Sequence, residues 1–215
     1  MLSDVNQIPC YQHPRRVDLE ERICGLLEAG DLLAAATASI EGYGPEVLGF
    51  LVTLLRSEQD AADVFSQTCE DLWSGLPGFA TRSSLRTWFY VLARHAAARF
   101  RRSPDRRPGR NVAVSHAAGV AEAVRSRTLP HLRTDVKDRF AAIRDALPEE
   151  DRALLVLRVD RNMSWNEIAT VMCGEDDSGE TVARTAARLR KRFQLVKEDI
   201  RARAREAGLL SEDER

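Results

Sequence analysis

The chain has 215 residues, a length that accommodates one large domain or two small ones. Its apolar share is 44%, its charged share 30% and its aromatic share only 6%, which argues against wholesale disorder and favours helices over a β-sandwich. The formal net charge is −1. No apolar run approaches the roughly eighteen residues that suggest a membrane span, and the first 22 residues mix charges with Pro9 and Pro14 instead of forming a secretory h-region. A cytoplasmic protein is therefore expected.

In chain order, residues 1–43 read as a partly helical N-terminal extension. Leu19, Ile23, Leu26, Leu27, Leu32 and Leu33 keep helical spacing, broken at Gly30. Gly42, Gly44 and Pro45 predict a turn, with Pro45 opening the next helix. A first domain is expected over 44–103. Its first helix carries Val47, Leu48, Leu51, Val52, Leu54 and Leu55. The second is capped by Ser57 and buries Ala61, Val64, Phe65, Thr68 and Leu72. Gly75, Pro77 and Gly78 end it. Ser83 or Ser84 caps the third helix, which runs to Arg102 until Ser103 and Pro104 stop it.

At about 100° per residue, that third helix has two faces. Leu85, Trp88, Phe89, Leu92, Ala96 and Phe100 share an apolar arc, while Arg86, Tyr90, Arg94 and Arg101 share a neighbouring one. A linker is expected over 104–134, with Pro104, Pro108, Gly109, Gly119 and Pro130 and partial helix over 113–124. A second helical domain follows over 135–215. Val136, Phe140, Ile143 and Leu147 mark one helix, and Leu154, Leu155, Leu157 and Val159 the next. Ser164 and Glu167 form a capping box that opens a third. After an acidic turn over 175–180, a last helix buries Val182, Leu189, Phe193, Val196 and Ile200, and aligns Arg184, Arg188 and Arg192 on its other side. This is the helix-turn-helix pattern. The fold class is all-α, two small helical domains joined by a flexible linker.

The small net charge conceals a strong alternation. The balance is −5 over 44–78, +8 over 79–110, −6 over 138–180 and +7 over 181–205. Two separate basic blocks suit two contacts on one polyanion. Phe79, Trp88 and Tyr90 interleave with Arg82, Arg86 and Arg94, a combination suited to unstacked bases. Trp88 falls in the apolar arc and reads as core; Tyr90 lies among the arginines and reads as a contact. Thr181, Arg184 and Thr185 lie where the first turns of a recognition helix meet base edges.

The acids Asp60, Asp63, Glu70 and Asp71 read as an exposed helix face that meets a basic protein. They lack a nucleophile or histidine partner for acid–base work. Cys10, Cys24, Cys69 and Cys173 stand far apart and form no C-x-x-C pair, and Cys69 and Cys173 read as small core residues. No metal site, no cofactor and no catalytic residue is expected, and the protein does not read as an enzyme.

These residues resemble a known family. The stretch 60–67 with Trp73, followed by the S-S-L-R-T-W-x-Y-x-L-A-R run over 83–94, is similar to region 2 of bacterial RNA polymerase sigma factors of the extracytoplasmic-function group. Residues 147–152, the run from Ser164 to Ala169, and Thr181, Val182 and Arg188 resemble their region 4. The match covers 46–102 and 135–197. The resemblance implies core RNA polymerase and promoter DNA as partners, and an anti-sigma factor for many relatives. Asp60, Asp63 and Gln67 would then dock on polymerase. Phe79, Arg82, Ser83, Ser84, Arg86, Tyr90, Arg94, His95 and Arg101 would melt the promoter and hold one strand. Thr181, Arg184, Thr185, Arg188 and Arg192 would read the upstream element as duplex. Ala62 and Gln67 stand where the family usually has Glu, and His95 where Asn is common. Two other readings remain open on residues alone: a helix-turn-helix regulator acting without core polymerase, and a helical interaction module whose basic faces meet acidic proteins.

Overall fold

Helix α1 (Pro14–Glu28) ends at Gly30, whose φ of +75° suits a residue without a side chain. Asp31 then caps α2 (Leu32–Leu55), its Oδ1 accepting the Ala34 N–H at 3.0 Å. The computed structural model describes residues 14–102, 116–134, 139–173 and 179–209. The expected start of the extension, the stop at Ser103 and Pro104, Val136 and most of the acidic turn lie outside that set.

The turn expected at Gly42, Gly44 and Pro45 does not form. Helix α2 runs through all three residues. The two glycines serve close packing instead. A Cβ on Gly44 would lie 3.1 Å from Phe65 Cζ and 3.2 Å from Val124 Cγ1, and one on Gly42 would overlap the Leu19 side chain. The apolar environment around α2 outweighs the missing donor of Pro45.

Arg56, in the left-handed region at φ 58°, ends α2. Ser57 caps α3 (Glu58–Gly75), accepting the Asp60 N–H at 3.2 Å. A short 3-10 turn (Leu76–Gly78) leads to the loop 79–84 and then to α4 (Leu85–Arg102). Helices α2, α3 and α4 enclose Phe50, Phe65, Leu72 and Phe89, all fully buried.

Helix α5 (His116–Thr134) occupies the latter part of the segment expected to be a linker and packs on α2 and α3. Ala117, Ala121 and Val124 are buried there, and Arg125 donates to Ser66 Oγ at 2.7 Å and to the Ala62 carbonyl at 3.3 Å. The stripe is made of small side chains, which carry little periodic signal.

The C-terminal half comprises α6 (Arg139–Asp145), α7 (Glu149–Leu155) with a π-helical turn (Val156–Asp160), α8 (Trp165–Cys173) and α9 (Gly179–Glu206). The capping box forms as read: Glu167 accepts the Ser164 N–H at 2.7 Å, and Ser164 Oγ accepts the Glu167 N–H at 3.3 Å. Trp165 meets Phe193 edge-on at 5.5 Å and joins α8 to α9. Cys69 is buried, whereas Cys173 is exposed, contrary to the sequence reading. The described residues form no strand, so the fold is all-α. A single buried cluster runs through both halves, from Ile23 and Phe50 to Leu154, Leu157, Ile168 and Leu189. Among the described residues no helix is long and apolar enough to cross a membrane.

Candidate nucleic-acid interface

The loop before α4 is held at both ends. Phe79 donates its N–H to the Leu76 carbonyl at 3.1 Å and stacks on Trp88, with ring centroids 4.9 Å apart. Ser84, not Ser83, caps α4: its Oγ accepts the Thr87 N–H at 3.1 Å. Arg82 is exposed, and Ser83 and Ser84 are half-buried. Between them, Thr81 sits at φ 51°, a conformation that is unfavourable for a β-branched residue.

The arginine face of α4 is largely covered. Arg86 is 7% exposed and grips Glu46 of α2 through two hydrogen bonds, Nε to Oε1 at 2.5 Å and Nη2 to Oε2 at 3.0 Å. Its Nη2 also donates to the Arg161 carbonyl in the C-terminal half at 3.0 Å. Burial opposes its charge, but the Glu46 carboxylate more than compensates and raises its pKa. Its guanidinium lies over the Tyr90 ring, 5.6 Å from the centroid.

Tyr90 itself is fully buried, edge-on to Phe50 at 5.3 Å. The expectation that it faces outward among the arginines is corrected. The wheel separated it from the apolar arc of α4, but α2 packs against that second arc as well.

Further along the helix, Arg94 Nη2 donates to both Glu150 oxygens, at 2.7 and 3.1 Å. Arg101 pairs with Glu149 and donates to the Leu54 carbonyl at 3.1 Å. Thr87 Oγ1 approaches Glu167 Oε1 at 3.4 Å, and Arg56 reaches the Asp145 carbonyl at 2.6 Å. His95 is exposed. The acids and carbonyls engaging these α4 side chains from the C-terminal half come from α7, the residue Arg161 and α8, and α2 adds Glu46 and the Leu54 carbonyl. Glu149, Glu150 and Glu167 of the acidic block thus lie against Arg101, Arg94 and Thr87 of α4. With Glu46 of α2, these are carboxylates beside α4 that the sequence reading missed. The opposite signs of the two blocks were the available signal.

On α9, Arg184 and Arg188 are exposed and Thr181 is half-buried. Two other residues expected on the reading face point elsewhere. Thr185 is 6% exposed and lies 3.5 Å from Cys173 Sγ. Arg192 binds Asp151 of α7 through Nε–Oδ1 at 2.7 Å and Nη2–Oδ2 at 2.5 Å, and that bonding raises its pKa. One helical face therefore divides. Its first part faces solvent, and its later part locks α9 to α7. Arg158 and Arg190 flank the Trp165 ring at 4.8 and 6.0 Å, a cationic pair that the sequence reading also missed.

On α3, Asp60 and Asp63 are half-buried and Gln67 is exposed, with its Nε2 donating to Asp71 Oδ1 at 3.0 Å. Asp71 pairs with Arg99 of α4. Ala62 is 8% exposed, and its carbonyl accepts from Arg125 of α5 at 3.3 Å. Among the described residues no group of three or more His, Cys, Asp or Glu side chains is arranged to hold a metal.

The described residues thus combine a capped, arginine-rich helix after a loop with a last helix that opens on exposed arginines, an all-helical arrangement with the chemistry that suits nucleic acid. Residues 40–107 match the family model for sigma-70 region 2. The chain is 28% identical over 136 residues to the RNA polymerase sigma-H factor of Pseudomonas aeruginosa, covering 60% of this chain and 70% of that protein. It is 25% identical over 133 residues to the RNA polymerase sigma factor YlaC of Bacillus subtilis, covering 60% of this chain and 75% of that one. Residues 40–107 thus carry a sigma-70 region 2, and the two likenesses support an extracytoplasmic-function-like sigma-70 factor with a role in transcription initiation.

Proposed function

We propose that this sigma factor brings core RNA polymerase to promoters through two separate grips on DNA and one acidic dock on the enzyme. In this reading α3 docks on polymerase through Asp60, Asp63 and Gln67. The loop 79–84, with Phe79, Arg82, Ser83 and Ser84, receives a base from the opened strand. Arg86, Arg94, His95 and Arg101 of α4 line the path of that strand. The start of α9, with Thr181, Arg184 and Arg188, reads the upstream element in the major groove. Thr185 and Arg192 support that helix from behind. The chain works without chemistry of its own, within the cytoplasm.

One observation carries the reading: exposed Arg82 in the loop that also carries Phe79, stacked on Trp88, and exposed Arg184 and Arg188 at the start of α9, lie on one chain. The first combination suits a single strand and the second a duplex.

The reading also requires a change of conformation. Arg94 and Arg101 are engaged by carboxylates of α7, and Arg86, held by Glu46 of its own half, also donates to the Arg161 carbonyl, so the C-terminal half must leave α4 before the strand can follow it. Two units over 44–103 and 135–215, separable at 104–134, are part of the proposal. An anti-sigma factor that stabilises the closed pairing is a further expected partner, tested by co-purification from the native cell.

The deciding experiment is transcription in vitro with core polymerase, followed by mapping of the start sites. Initiation from a defined set of genomic fragments is expected. Binding of promoter duplex by the chain alone, with no polymerase-dependent initiation from any fragment, would overturn the proposal.

A further inference from the structure

The N-terminal helix lies outside the residues matched by the sigma-70 region 2 model, yet it touches the part of the fold most concerned with opening DNA. The Leu85 N–H at the start of α4 donates to Glu20 Oε1, across 65 residues of sequence. The other carboxylate oxygen, Oε2, accepts from Tyr43 Oη–H at 2.6 Å. Each oxygen of Glu20 is therefore committed to a donor on a different helix, α4 and α2. Tyr43 is only 2% exposed, and burial, reinforced by its bond to Glu20, keeps the phenol protonated as a donor.

The helix carrying Glu20 is itself seated firmly. Ile23 is fully buried, and Leu19 rests where Gly42 lacks a Cβ. The carboxylate also suits its place, because the first turn of a helix exposes donors and carries partial positive charge.

We propose that α1 braces the strand-opening loop and that Glu20 is the positioning residue through which it acts. The inference rests on the reading of 79–84 as the single-strand site. The loop contains Thr81 at φ 51°, a conformation that persists only when neighbouring structure holds it. On one side the hold is the bond from Phe79 to Leu76, and on the other it is the Ser84 cap together with Glu20. Without Glu20 the first amide of α4 loses its distant anchor. The loop can then relax away from the Thr81 geometry, and the cost falls on promoter opening. Polymerase docking through α3 and duplex reading through α9 are untouched, since neither helix contacts Glu20 by hydrogen bond.

The test uses the full chain with core polymerase and three variants: Glu20→Ala, Glu20→Gln and Tyr43→Phe. Opening is followed by permanganate reactivity of thymines on a duplex promoter and on a premelted bubble template. Polymerase affinity and melting temperature are measured alongside. Glu20→Ala should slow opening of the duplex roughly tenfold, the scale of one lost charge-assisted hydrogen bond. Its polymerase affinity should be unchanged. Glu20→Gln keeps an oxygen for the Leu85 N–H and should restore opening to within about twofold, since the amide can still accept. Tyr43→Phe loosens the carboxylate without removing it and should slow opening by a smaller factor at unchanged polymerase affinity. If Glu20→Ala proves too unstable to assay, Tyr43→Phe decides: slower opening supports the brace and normal opening overturns it.

Normal opening by Glu20→Ala overturns the inference, as does an equal loss in polymerase affinity. Phe79→Ala and Arg82→Ala serve as controls. If they slow opening while Glu20→Ala does not, only the brace fails. If they also open promoters normally, the single-strand reading itself fails.

Discussion

Arg188 and Arg192 stand one helical turn apart and have different surroundings. Arg188 is exposed on α9, while Arg192 is held by the buried carboxylate of Asp151. Arg188→Ala should therefore weaken binding of the upstream duplex element by about 1–3 kcal/mol, with most of the loss on the preferred sequence. Titration against matched and scrambled duplexes checks this. An equal loss on both would mark a phosphate contact. Tyr90 gives the opposite case. As a fully buried ring against Phe50, Tyr90→Ala should cost about 3–5 kcal/mol of stability, measured by urea unfolding. An outward-facing tyrosine would lose almost nothing.

At the scale of elements, the legible signals were those with local chemistry. The Ser57 and Ser164 caps form where the residues indicated, because each rests on side-chain-to-backbone bonds within a few positions, and the break at Gly30 forms because its φ of +75° suits a residue without a side chain. The failures share a different cause. Gly42, Gly44 and Pro45 suggested a turn, and only the neighbouring Leu19, Phe65 and Val124 reveal that the glycines make room between helices. Helix α5 was legible only in part, as the helix expected over 113–124, because its buried stripe is largely alanine and its continuation to Thr134 carries little periodic signal. Site legibility followed the same division. Phe79, Arg82, Arg184 and Arg188 were found from residue type, whereas Glu20 and Glu46 become partners only through tertiary contact. The packing of α2 makes its own prediction. Gly44→Val should destabilise the protein by about 1–3 kcal/mol, because its Cβ would already press on Phe65 and Val124. Thermal unfolding tests it.

For the whole molecule, the governing feature is the apposition of acidic and basic blocks across α4. The ion pairs of Arg94 with Glu150 and Arg101 with Glu149 are partly exposed, so added salt should loosen them. Charge reversal separates this effect from general instability. Glu149→Lys with Glu150→Lys should increase the radius measured by small-angle scattering and raise the affinity of the isolated protein for single-stranded DNA. Adding Arg94→Glu and Arg101→Glu to that variant should bring the radius back toward the parent value. An unchanged radius in the first variant would show that the apolar contacts between the halves hold the closed form unaided.

The covering of α4 also bears on how such a protein is distributed in a cell. A chromosome offers on the order of a million or more indiscriminate landing places, and an uncovered row of arginines would spend its time on them. With those charges turned inward, fewer molecules are lost to this reservoir, and more stay available to be recruited by the enzyme they serve.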